Sequence, residues 1–143
     1  MKPLPHRYEV RLAAGPTGHA TLKSGGVPDL STDAPTEFDG PGDAWSPEQL
    51  LLAAVEACYL LTFRAVAKAS KLEFTSIAVE AEGFVDRENG RTRFTEIVLR
   101  PRLALPAGVD ATRVRRALEK AEQACLVSAS LSTPVRVEPD VAG

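Results

Sequence analysis

The 143-residue chain carries 17 lysines and arginines against 19 aspartates and glutamates, a formal net charge of −2. That balance leaves no basic field for nucleic acid or an anionic membrane surface, so neither is expected as a partner. At 44% hydrophobic and 25% charged residues the composition excludes disorder, collagen and coiled coil. Its length points to one domain, residues 1–143, able to fold without metal or disulfide.

Tyr8, Val10 and Leu12 alternate with Glu9, Arg11 and Ala13, which predicts a short half-buried strand. Gly15-Pro16-Thr17-Gly18 reads as a turn, with His19 to Lys23 returning as the second arm of a hairpin. From Ser24 to Ser46, seven positions are glycine or proline: Gly25, Gly26, Pro28, Pro35, Gly40, Pro41 and Gly42. A loop is expected there, with one or two short strands around Asp29–Ser31 and Thr36–Phe38. Such a connection is either variable surface or the cover of an active site.

Ser46 then offers an N-cap, Pro47 suits the first helical position and Gln49 completes a capping box. The helix they open runs to about Ser70. Its polar residues Arg64, Lys68 and Lys71 share one narrow stripe with Glu56 near its edge, and the remainder is almost wholly apolar. A helix apolar on most sides must be buried on most sides. In so short a chain, wrapping it in sheet or sharing it across a dimer would meet that demand. Glu56 and Arg64 interrupt the apolar run Leu50 to Ala67, which argues against a membrane span. The segment Met1 to Arg7 has no apolar core of the signal-peptide kind, and two cysteines make no disulfide framework. A reducing, cytoplasmic location with free thiols is expected.

Ile77, Val79, Ala81, Gly83 and Val85 alternate with polar neighbours. After Asn89-Gly90 the residues Ile97, Leu99, Leu103 and Leu105 take up the same period, with Thr92, Phe94, Glu96 and Val98 on the other face. This is the pattern of a hairpin. Asp110 is the N-cap expected for a second helix to about Leu126, with Val114, Leu118, Ala121 and Cys125 on one face. Thr133 to Glu138 closes as a strand. The arrangement is of the α+β class.

Cys58 points away from the polar stripe of the first helix, and Cys125 lies on the buried face of the second. Two inert core cysteines and a pair of redox-active thiols both fit this placement. There is no Cys-x-x-Cys, and His6 and His19 lie outside any ligand spacing, so neither metal nor cofactor is expected. Glu48 precedes Cys58 by ten residues, roughly 15 Å along a helix. A site using both needs a bend near Glu48 or a second subunit.

The run Ser46-Pro47-Glu48-Gln49-Leu50-Leu51-Leu52-Ala53-Ala54, followed by Ala57-Cys58, resembles the signature of the OsmC/Ohr family of osmotically inducible and organic hydroperoxide resistance proteins. Ala124-Cys125-Leu126-Val127-Ser128 resembles the family's Cys-Pro-Val-Ser, with leucine in the place of proline. The resemblance covers Tyr8 to Pro139. It implies a swapped homodimer in which antiparallel sheets wrap long central helices. It also implies a thiol peroxidase acting on organic hydroperoxides. Cys58 would attack, Cys125 would resolve, and Glu48 would hold an arginine near Cys58. The reductant would be a dithiol, in this family often a lipoylated protein. Tyr59 and Phe63 are available to line an apolar pocket. One departure bears on the chemistry. The turn Gly15–Gly18 has Pro16 where the family's arginine is expected, which leaves Arg11, Arg7 and, more weakly, His19 as substitutes. An OsmC-fold small-molecule-binding or stress protein with little peroxidase turnover is the alternative function.

Overall fold

A computed structural model describes residues 1–142. Their contacts divide the chain into two compact units, Met1–Leu50 and Leu51–Gly143.

In the first unit, β1 (Arg11–Ala13), β2 (Ala20–Lys23) and β3 (Leu30–Thr32) pair antiparallel in chain order. The expected hairpin forms, but its first strand is not half-buried. β1 is three exposed residues, and Tyr8, Val10 and Leu12 all face solvent. Thr36–Phe38 is a 3-10 turn instead of a strand. The Pro35 carbonyl accepts the amides of Phe38 and Gly40, each at 2.9 Å, and this local closure competes successfully with sheet pairing. Gly40 leaves the turn so tightly that a Cβ would stand 1.7 Å from the Ala34 carbonyl oxygen. Trp45 then bridges to Thr32, and Ser46 opens α1 (Pro47–Ala69). The capping box is reciprocal. The Ser46 amide donates to Gln49 Oε1 at 2.9 Å and the Gln49 amide donates to Ser46 Oγ at 3.1 Å, satisfying two otherwise orphaned donors.

The second unit contains most of α1, then β4 (Ser76–Glu88), β5 (Arg91–Ala104), α2 (Ala111–Ala124), α3 (Leu126–Ala129), β6 (Val135–Val137) and β7 (Asp140–Ala142). Asn89 and Gly90 adopt φ of 52° and 78°, the left-handed pair that a two-residue hairpin turn needs. A bulge at Phe84/Val85 shifts the register so that Val85 faces Phe94 and Gly83 faces Ile97. The extra residue carries Phe94 to the core side with Ile97, not to the opposite face as strict alternation predicts. The sheet is also mixed. β6 pairs parallel with Ile97–Leu99 and β7 parallel with Arg102–Ala104. Pro101, which has no N–H to give a ladder, stands at the break between them.

Asp110 caps α2 by accepting the Thr112 amide at 2.9 Å. The core unites Val55, Tyr59, Phe63 and Ala67 of α1 with Ile97, Leu99 and Leu103 of β5 and Val114, Leu118 and Ala121 of α2. Tyr59 and Phe63 are wholly buried and the Tyr59 hydroxyl donates to the Leu118 carbonyl at 3.0 Å. They are core residues and not pocket lining. By length and hydropathy alone α1 could cross a membrane, but this row is sealed against β5 and α2. The rest of α1 is less covered than its composition requires: Ala54, Ala57, Leu61 and Ala65 are exposed. One chain does not bury the helix on most sides.

Candidate active site

α2 stops at Ala124, short of the expected Leu126. Cys125 takes an extended backbone, φ −70° and ψ 113°, and serves at once as C-cap of α2 and N-cap of α3. This kink turns the amides at the start of α3 toward the flank of α1, where Cys58 lies half-buried. The backbone of Val127 and Leu126 and the Cys125 thiol lie near enough to favour the ionised form of Cys58. Both thiols are free and close enough to influence each other's ionisation.

The two sulphurs are pushed in opposite directions. Burial raises the Cys58 thiol, and the Val127 amide, the Cys125 thiol, Thr62 and the Leu126 amide together outweigh it, so Cys58 ends below the ordinary thiol value. The Leu126 amide is the smallest of these influences, and Thr62 is poorly placed to donate. Its one proton already goes to the Cys58 carbonyl at 2.7 Å, and its oxygen is 4.0 Å from the sulphur. Burial likewise raises Cys125, the Ser128 hydroxyl and amide oppose it, and the adjoining Cys58 adds to the rise. Of the two, Cys58 is thus the one whose ionised form is favoured and Cys125 the one that keeps its proton more firmly. Tyr59 stays neutral, its phenol raised by burial and then by Glu122 and Cys125.

The remaining candidates are distributed differently. Glu48 sits in the first turn of α1, with Oε1 buried and lacking a hydrogen-bond partner. Arg11 does not pair with it. Its guanidinium lies 4.0 Å from Glu9, with three-quarters of the side chain exposed, and Arg7 pairs with the same carboxylate. His19 is taken by Asp43 at 2.8 Å and Asp33 at 3.8 Å. Both arginines follow Glu9 because i, i+2 neighbours on an extended segment meet without any ordering of the chain elsewhere. Among the described residues, no group of three or more His, Cys, Asp or Glu could hold a metal ion.

The sequence located both cysteines but not the amides that hold Cys58. Leu126 and Val127 enter through main-chain atoms, and the break at Cys125 has no glycine or proline to announce it. The only signal was the leucine standing where proline was expected, which restores one N–H.

The OsmC-like protein family profile matches residues 40–140. YmaD of Bacillus subtilis, itself uncharacterised, is 31% identical over 121 residues, 82% of this chain and 80% of its own length. The peroxiredoxin OsmC of Escherichia coli is 28% identical over 103 residues, 72% of this chain and 71% of its own. An organic hydroperoxide resistance protein of Xanthomonas axonopodis pv. citri is 30% identical over 99 residues, 68% and 67%. An OsmC-like protein of unknown function from Vibrio cholerae superposes with a TM-score of 0.86 at 18% identity, covering 94% of this chain and 99% of that one. The fold is that of the OsmC/Ohr structures, and the chain belongs to the OsmC-like protein family.

Proposed function

We propose that the protein is a thiol-dependent peroxidase that reduces organic hydroperoxides. The opposed shifts of two neighbouring thiols, Cys58 down and Cys125 up, carry this reading, because an inert core pair has no use for a favoured thiolate. The Cys58 thiolate attacks the terminal oxygen of the hydroperoxide, the O–O bond breaks and the alcohol leaves with a proton. Cys58 is left as a sulfenic acid. The Cys125 thiol condenses with it, releasing water and forming a disulfide. A dithiol, for which a lipoylated protein is a fitting source, returns both thiols in a reducing compartment such as the cytoplasm. The Escherichia coli relative, a peroxiredoxin, and the Xanthomonas relative, an organic hydroperoxide resistance protein, support this substrate class.

The working form is proposed to be a homodimer with exchanged strands. Supporting this are the uncovered apolar residues of α1 and the exposed N-terminal strand. The unpartnered Glu48 carboxylate oxygen is suited to a cation from the second copy, with Arg11 first and Arg7 second among the candidates. The test is a count of free thiols before and after cumene hydroperoxide. Stoichiometric loss of both within seconds is expected. Cys58→Ser should abolish it, and Cys125→Ser should leave a sulfenic acid that dimedone traps. Retention of both thiols in the wild type would instead favour a binding or stress protein without turnover.

A further inference from the structure

A cleft of about 240 Å³ opens between the last turns of α1, the segment that leaves it and α2. Arg113, Arg116 and Lys120 line it from α2, and their spacing of three and four residues puts them on one stripe of that helix. Val66, Leu72 and Ala117 make its floor apolar, the last two being buried. Ser70 completes the rim, and its carbonyl accepts Arg113 Nη2 at 2.9 Å, which holds one guanidinium in place. No carboxylate lines the cleft, since Glu119 and Glu122 of the same helix are not among its walls. Among the described residues none of the three cations has an ion pair. By contrast Arg93, Arg100, Arg102 and Arg136 on the sheet each hold a glutamate. The net charge of −2 thus conceals a local excess of positive charge. The cleft also stays clear of the exposed row Ala57, Leu61 and Ala65. At about 100° per residue, that row and the pair Val66 and Ser70 lie roughly 160° apart around α1. A dimer formed on the row leaves the cleft open.

We propose that this cleft is a binding site for a small phosphate monoester. The inference is independent of the peroxidase reading, because neither thiol is among the walls. Charge selects the anion. A phosphate monoester carries close to two negative charges at neutral pH and presents three acceptor oxygens, enough to answer three cations. A carboxylate offers one charge and two oxygens. Arginine forks pair with phosphate oxygens two at a time, and lysine adds a point charge. Arg113 gives one donor to the Ser70 carbonyl and keeps the rest of its fork for a ligand. Size and the apolar floor set the remainder of the molecule. Pockets for drug-sized ligands begin at about 300 Å³, so this cleft suits a phosphate carrying a small organic group. That group would lie on Val66, Leu72 and Ala117. Inorganic phosphate shares the anion chemistry but lacks the part that the floor would hold.

Phenyl phosphate is the probe. Its binding to the full chain is followed by phosphorus NMR and by the melting temperature, with ionic strength held constant by sodium chloride. A saturable response is expected, stronger than that to inorganic phosphate and far stronger than that to benzoate. Arg116→Gln and Lys120→Gln should each weaken binding about tenfold or more, the loss expected for one charge-assisted contact. Arg115→Gln, which removes a cation from another face of α2, should keep the wild-type affinity. All three side chains are exposed, which spares the fold. A response that chloride alone reproduces, or equal weakening in Arg115→Gln, means general screening and overturns the site. Benzoate binding as tightly as phenyl phosphate overturns the choice of anion, and inorganic phosphate doing so overturns the ester. Sedimentation with phosphatidic acid vesicles, or capture by a glutamate polymer, without any response to phenyl phosphate would put a membrane or an acidic protein on this face and overturn the proposal.

Discussion

A proline at position 126 would lack the N–H that Leu126 directs at Cys58. The extended backbone of Cys125 already suits a following proline, and position 126 is the first of α3, where proline is tolerated. Leu126→Pro therefore removes one hydrogen bond while sparing the fold, and Leu126→Ala keeps it. A hydrogen bond to a charged group contributes about 1.5–3 kcal/mol, and one pKa unit corresponds to about 1.4 kcal/mol. Alkylation of Cys58 followed against pH should shift its midpoint upward in Leu126→Pro and not at all in Leu126→Ala. Because the native Cys58 is depressed, its thiolate persists to lower pH than an ordinary thiol's. Reactivity, and the stability this charge contributes, are present above the unfolded value and fall away as pH drops through the folded one. A cation donated to Glu48 would act in the same direction. Arg11→Met is expected to raise the Cys58 midpoint by roughly one to three units and to slow peroxide consumption. An unchanged titration in both Arg11→Met and Arg7→Met would remove the N-terminal arginines from the mechanism.

Among the elements, the turn from Ala34 to Gly42 has the least freedom. A methyl group at Gly40 would collide with main-chain atoms of Ala34 and Pro35 that cannot swing aside. Nothing lies within 4 Å of a Cβ at Gly25. Gly40→Ala should cost about 1–3 kcal/mol or more and lower the melting temperature, while Gly25→Ala should leave it nearly unchanged. This turn also shows where sequence reading stops. Residues whose partners are close in sequence were legible: the Ser46–Gln49 capping box, the Asn89-Gly90 hairpin and the Asp110 cap. Thr36–Phe38 departs from the expected strand because the carbonyl of Pro35, immediately before it, holds the amides of Phe38 and Gly40, and β propensity gives no hint of that. The bulge that moves Phe94 depends on Val85, 9 residues away, and the parallel pairing of β6 and β7 on partners 38 residues away. Of the site, the two cysteines were visible as side chains. The amides that distinguish them were not, since every residue but proline has one.

For the whole molecule, the exposed row Ala54, Ala57, Leu61 and Ala65 on α1 sets the expected assembly. Light scattering at micromolar concentration should give twice the chain mass, and Leu61→Lys, by placing a charge within the apolar face, should halve it. A stable wild-type monomer would remove the exchanged-strand dimer. The placement of Pro101 between β6 and β7 has a further bearing, on the order in which the chain emerges during synthesis. The β4–β5 hairpin is complete once Ala104 is made, but the second edge of β5 stays unpaired until residues 135–142 follow. Parallel pairing across so long a connection is slow to form, and a bare strand edge is a template for other chains. Pro101 leaves that waiting edge one donor short at its middle, which makes the half-made sheet a poorer seed for aggregation.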